Sequence, residues 1–147
     1  MGYYVQITSV DAKIPFDKTE AAYEAMVALN SKDEVKQLTF IKDGEIVREF
    51  MRLDHDYPTH LKSAAEILEA LRFQVTVEET GDITIEGFDA KTGDEDAFID
   101  ALAPFIVSAY DPDGEAYMEW RGEEGELWRQ LFIDGKVKYE TGKITWE

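Results

Sequence analysis

The chain has 147 residues, no cysteine, 44% hydrophobic residues and a formal net charge of -17. That length and apolar content suit one folded core rather than a disordered tail, and without thiols there is no disulfide, cysteine nucleophile or thiolate metal site. No apolar run approaches the ~18 residues of a membrane span, the opening MGYYVQITSV lacks the basic start of a secretory signal, and Gln6 stands where N-myristoylation needs serine or threonine. The expectation is a cytoplasmic protein, a single compact domain over 1–147, with no membrane partner.

In chain order, Tyr3, Val5 and Ile7 alternate on one face of YYVQITSV and predict a first strand over 3–10. Asp17 followed by Glu20 has capping-box spacing, and Ala22, Met26 and Leu29 at i, i+4 and i+7 predict the helix behind it. KQLTFIKDGEIVREFM reads as a hairpin turning at Asp43-Gly44, because Asp-Gly supplies the positive φ angles of a type I′ turn. RLDHDYPTH reads as a loop. Ser63-x-x-Glu66 is the best capping box in the chain, and Ala64, Ile67, Leu68 and Leu71 form the apolar stripe of a second helix. Phe73, Val75 and Val77 alternate before Thr80-Gly81, and Ile83 and Ile85 alternate after it, giving a second hairpin. Asp94 is expected to cap a third helix, whose stripe is Phe98, Ile99, Leu102, Phe105 and Ile106 and whose course Pro104 kinks or restarts. After the loop SAYDPDGEAY comes a meander. Arg121 is set opposite Glu126 around Gly122–Gly125, Asp134-Gly135 pairs Ile133 with Lys136, and Thr141-Gly142 reverses the chain toward Ile144.

The order β-α-ββ-α-ββ-α-ββββ is an α+β pattern, an antiparallel sheet with three helices. Strand, helix and hairpin recur over 3–51 and 83–133, which suggests two similar β-α-β-β halves.

The charge is unevenly spread. Residues 78–100 hold nine acids and one base, and residues 111–126 hold seven acids and one base. Such a field repels nucleic acid and anionic membrane and attracts a protein with a basic surface; its plainest role is to keep a small protein soluble. A basic stripe for direct nucleic-acid binding is missing.

The stretch YMEWRGEEGELWR carries Tyr117, Glu119, Trp120, Arg121, Gly122, Glu123, Glu124, Gly125, Trp128 and Arg129. With the preceding KTGDEDAFIDALAPFI, the closing ITWE and the opening GYYVQI, it resembles a small, mostly uncharacterised protein family of bacteriophage and bacterial genomes. Its members share the pattern aromatic-x-Glu-Trp-Arg-Gly-Glu-acid-Gly-x-x-Trp-Arg. The resemblance implies a phage or prophage origin and brings no activity with it.

The candidate binding residues are Tyr117, Glu119, Trp120, Arg121, Glu123, Glu124, Trp128 and Arg129. The plain reading of this stretch is a structural hairpin. In the expected register Met118, Trp120, Leu127, Leu131 and Ile133 line one face, and Glu119, Arg121, Glu126, Trp128 and Gln130 the other. Tryptophan and arginine on that second face are residue types enriched at binding hot spots. Glu119 and Glu126, on one expected face near Trp128, are the one carboxylate pair worth testing for acid–base chemistry. Asp54, His55, Asp56 and His60 offer nitrogen and oxygen ligands, but their spacing matches no recurring metal motif and an exposed acidic loop is the default. DPDGEAYMEWRG begins like a calcium loop at Asp111 and Asp113 but places Gly122 where the terminal glutamate belongs. Phosphate-binding glycine loops, G-x-S-x-G and His-Glu-x-x-His are absent. The expectation is therefore a non-catalytic accessory protein without metal or cofactor that binds a basic protein, as an inhibitor or DNA mimic. The alternative is a small-molecule or nucleotide-derivative binder using the Trp/Arg hairpin, and the third reading is a hydrolase using the Glu pair.

Overall fold

The computed structural model describes residues 3–143. Among these, the elements run β1 (Tyr4–Ile14), α1 (Thr19–Ala28), β2 (Leu38–Lys42), β3 (Glu45–Glu49), α2 (Tyr57–His60), α3 (Ala64–Ala70), β4 (Phe73–Val77), β5 (Ile83–Lys91), α4 (Glu95–Leu102), β6 (Ala116–Gly122), β7 (Leu127–Ile133) and β8 (Lys136–Gly142). Thr141 and Gly142, expected to reverse the chain, instead continue β8 opposite Trp128 and Leu127; Ile144, the expected partner of Tyr139, lies outside the described residues.

Six strands form one antiparallel sheet in the order β4-β5-β1-β6-β7-β8, while β2 and β3 form a separate two-stranded ribbon. This is the α+β class expected from the element order. The strand–helix–hairpin sequence does recur, but its hairpins are used differently: β6–β7 extends the sheet from β1, whereas β2–β3 leaves it. The three expected helices form, and a fourth, short one, α2, replaces the end of the loop read over RLDHDYPTH. Pro58 sits in its first turn, where the missing N–H costs nothing. Tyr57 is buried there, its hydroxyl donating to the Met26 carbonyl at 2.5 Å.

Helix α1 packs against both α3 and α4. Met26, Leu68 and Phe98 from the helices share one core with Ile14, Ile85, Met118 and Trp120 from the sheet. The expected face of Tyr3, Val5 and Ile7 lasts only as far as Ile7. Between Ile7 and Ser9 the pairing with β6 shifts by one residue, so Ala12 and Ile14 become the buried positions. An extra residue in a ladder inverts the side-chain alternation beyond it. β1 thereby continues to Ile14.

The capping predictions divide. Ser63 caps α3 as expected: the Glu66 N–H donates to its Oγ at 3.2 Å. Asp17 caps nothing. The chain after Pro15 first makes a 3-10 turn over Phe16–Lys18, so α1 starts at Thr19, and the free Phe16 N–H is taken instead by Asp82 Oδ1 at 2.8 Å. Asp94 precedes α4 but makes no side-chain cap. Its two oxygens accept the Met51 and Arg52 N–H groups at 2.9 and 2.7 Å, tying the segment after β3 to the β5–α4 junction.

Candidate functional site

The β6–β7 hairpin closes by a shorter turn than expected. The Gly125 N–H bonds the Gly122 carbonyl at 3.0 Å and the Gly122 N–H bonds the Glu126 carbonyl at 2.9 Å, while Gly125 has φ of 92°. This is a three-residue loop, a tight turn followed by a left-handed glycine. Arg121 therefore pairs with Leu127, Trp120 with Trp128 and Glu119 with Arg129, correcting the expected Arg121–Glu126 register by one residue. A one-residue slip carries every side chain of a strand to the other face.

The correction redistributes the candidate residues. Trp128 and Gln130 join Trp120 on the helix-covered face; Tyr117, Glu119, Arg121 and Arg129 share the opposite, open face. Glu123 and Glu124 occupy the turn, tied to the start of β1: the Tyr4 N–H donates to Glu123 Oε1 at 3.2 Å and the Glu124 N–H to the Tyr3 hydroxyl at 3.3 Å. The expected coincidence of Glu119, Glu126 and Trp128 on one face thus does not arise. Glu119 faces away from the Trp128 side, and Glu126 closes the turn opposite Gly122.

On the open face, Arg129 lies between two carboxylates. It donates to Glu140 Oε1 from Nη2 at 2.8 Å and from Nε at 3.0 Å, and reaches Glu119 Oε2 at 3.4 Å. Glu140, which the sequence did not single out, holds this guanidinium more firmly than Glu119 does, and both raise its already high pKa. Glu119, Trp128 and Arg129 line one cleft of about 320 Å³ with Glu140, Thr141 and Gly142. Its arginine is already engaged by acids of the same chain. Tyr117 bonds the Ser9 hydroxyl at 3.0 Å, and Arg121 is exposed.

On the helix side, the Trp120 and Trp128 rings stack at 5.9 Å with an interplanar angle of 2°. Trp120 is buried, and its Nε1–H donates to Gln130 Oε1 at 2.7 Å. Trp128 remains half-buried. Beside it, Thr92, Glu95 and Asp96 complete a recess of about 70 Å³. Glu95 is buried, accepting the Gly93 N–H at 2.7 Å and the Thr92 hydroxyl. Crowding by protein, then the charges of Glu95 and Asp100, push the Asp96 carboxyl up; crowding also raises Asp100. Neither makes an ion pair with a base among the described residues. Asp96 and Asp100 do lie on the exposed face of the third helix, and nothing local in the sequence links that face to Trp128. The neighbourhood of Asp96 to Trp128 depends on the hairpin register.

The loop candidates settle differently. Asp54, Asp56 and His60 come together with ligand atoms within 4.8 Å, His60 Nε2 lying 3.1 Å from Asp56 Oδ2, whereas His55 is not part of the group. Asp111 uses its carboxylate on the Asp113 N–H at 3.0 Å and its carbonyl on the Gly114 N–H at 2.9 Å, an ordinary local turn. No helix of the described residues is long and apolar enough to cross a membrane.

The raised carboxyls imply a pH dependence. Burial raises Asp94, and crowding by neighbouring protein raises Asp96 and Asp100 although both stay exposed, so the folded chain binds their protons more readily than the unfolded chain does. Stability is then expected to rise as pH falls from neutral toward the ordinary aspartate value of about 3.9. Asp82 works the other way. Its hydrogen bonds with Lys13 and Phe16 lower its pKa, and its contribution is lost on further acidification. The thermal midpoint at constant ionic strength should be higher near about pH 5 than near about pH 8; the reverse order would show that the three aspartates are not held above their ordinary range.

No family model, curated protein or solved structure matches the chain.

Proposed function

We propose that the chain is a small acidic accessory protein, of the phage type its hairpin motif resembles, that binds another protein through a basic surface and occludes it. The observation that carries this reading is the half-buried Trp128, stacked on Trp120 and sharing a recess with Glu95 and Asp96. A lysine or arginine tip entering there would lie between an indole face and a carboxylate, and such a cation–ring contact is worth ~0.5–2 kcal/mol. The concentration of acids over 78–100 and 111–126 supplies long-range attraction to the same kind of partner. A DNA mimic, whose carboxylates stand in for phosphates, is the form of this reading with the steepest salt dependence.

The two other readings have less support. Small-molecule capture with Trp128 as the stacking ring needs an arginine on its own face, yet Arg121 and Arg129 both lie on the opposite one and Arg129 is engaged by Glu119 and Glu140; with Tyr117 as the ring, the exposed Arg121 is the arginine left to hold an anion. Hydrolysis by Glu119 and Glu126 needs the two carboxylates on one face.

The test is capture from bacterial lysate at low and high salt by the wild type, Trp128→Ala and Asp96→Asn, with circular dichroism to verify folding. The expected result is a protein held by the wild type at low salt, released at high salt and lost by both variants. Capture retained by both folded variants would move the contact to another part of the acidic surface, and no capture at low salt would sink the protein-partner reading.

A further inference from the structure

Among the described residues, the β2–β3 ribbon stands apart from the sheet and pairs only with itself. All five residues of β2 are exposed, and Ile41 and Ile46, directly opposite each other, are each 75% exposed. An isolated two-stranded ribbon is marginal in water, and an open apolar edge is a template for another strand. The turn determines which backbone groups are free. Asp43 and Gly44 have φ of 52° and 82°, so this is a two-residue hairpin, and Lys42–Glu45 is its closing hydrogen-bonded pair. Hydrogen-bonded pairs alternate along the ladder. Phe40–Val47 and Leu38–Glu49 therefore bond inward, and the N–H and C=O groups of Thr39 and Ile41 in β2, and of Ile46 and Arg48 in β3, point to the outer edges.

We infer that the outer edge of β2 pairs antiparallel with the same edge of a second copy of this chain, about a two-fold axis at Phe40. Charge selects both the occupant and the edge. Residues 32–53, which contain the ribbon and its flanks, hold five bases and five acids in a chain of net charge -17, so the ribbon sits in a neutral stretch where two acidic copies approach with less repulsion than over 78–100 or 111–126. Self-pairing of β3 about Val47 would set Glu45 opposite Glu49 of the other copy twice, and like charges directly opposite are destabilising. Self-pairing of β2 about Phe40 sets Leu38 opposite Lys42 and Thr39 opposite Ile41, with no like-charge pair. It also matches hydrogen-bond phase: Thr39 and Ile41 of one copy exchange their outward groups with Ile41 and Thr39 of the other, while Phe40 meets Phe40 at the closer, non-bonded position. The product is a four-stranded sheet, β3-β2-β2-β3, closed by two-fold symmetry, with the same patch used by both copies.

Sedimentation equilibrium of the full chain over a concentration series tests this, with Ile41→Pro and Ile46→Pro as a matched pair. Both positions are equally exposed and lie on the same face of the ribbon. Both have outward N–H groups, so proline spares the bonds between β2 and β3 in either case. The expected result is a twofold rise in mass for the wild type and Ile46→Pro, and a monomer at every concentration for Ile41→Pro. Hydrogen exchange on the wild type should protect the Thr39 and Ile41 amides at high concentration and leave those of Ile46 and Arg48 fast. A wild type that stays monomeric overturns the proposal. Loss of the dimer in both variants, or equal protection of both edges, overturns it in favour of contact between the isoleucine faces.

Discussion

Replacing Trp120 with alanine is expected to destabilise the fold by about 3–5 kcal/mol, the range for truncating a buried large aromatic. The indole is 2% exposed and packs edge-on to Phe73 at 6.4 Å, against Phe88 at 5.3 Å, and flat on Trp128 at 5.9 Å. Its loss opens a cavity bordered by three aromatic rings. It also strips the donor from Gln130, which is 0% exposed and whose Oε1 accepts from the indole at 2.7 Å. Trp120→Phe separates the two contributions: it keeps a ring and removes the N–H, so roughly 1–3 kcal/mol for the unsatisfied amide oxygen should remain, beside the smaller ring's packing deficit. Urea unfolding followed by circular dichroism measures both, and a cost under about 2 kcal/mol for the alanine variant would mean that the aromatic cluster does not anchor the core.

The second large effect is expected at Asp94. Its carboxylate is 1% exposed and takes one backbone N–H on each oxygen, from Met51 and Arg52. Asp94→Ala leaves both donors without a partner, at a cost of about 2–6 kcal/mol given roughly 1–3 for each. Asp94→Asn preserves one acceptor and should fall between the alanine variant and the wild type. Burial opposes the charged form of this carboxyl and its two N–H bonds favour it, with burial prevailing. The gap between the Asn variant and the wild type should therefore widen in mild acid, because only the wild type gains stability as this carboxyl takes up its proton. Equal stability of the alanine variant and the wild type would show that water replaces the carboxylate at no cost.

How much could be read from the chain alone follows from where each instruction is stored. Asp43-Gly44 and Asp134-Gly135 specify two-residue turns, and such a turn dictates register, so Ile133 does meet Lys136 and Phe132 meets Val137. Ser63 and Glu66 contain a complete cap within four residues, and that cap forms. The sequence Gly122-Glu123-Glu124-Gly125 is compatible with a three- or a four-residue loop. The choice, made by Gly125 adopting the left-handed region, carries Trp128 from one face to the other. The extra residue between Ile7 and Ser9 has no local mark, because threonine there looks like any strand residue. Asp94 has the spacing of a cap, but its partners lie 43 and 42 positions away, beyond any local pattern. The candidate site was accordingly legible as a list of residue types and illegible as a surface. Aromatic and acidic residues were named, but which of them share a side is decided by one residue of register.

The near-parallel tryptophan stack has a spectroscopic consequence. Two indoles at 5.9 Å with planes 2° apart are close enough for their electronic transitions to couple, a splitting that near-ultraviolet circular dichroism would read. One member is enclosed by the core and the other is half open beside Glu95 and Asp96, so they sense different surroundings while sharing one excitation. A guest entering the recess perturbs the light absorbed by both rings, and a slip of β7 against β6 separates them and abolishes the coupling. The stack thus offers a label-free gauge: a change in the coupled signal on adding a guest would report occupancy of the recess, and its loss would report a slip in register, over the background of Trp146.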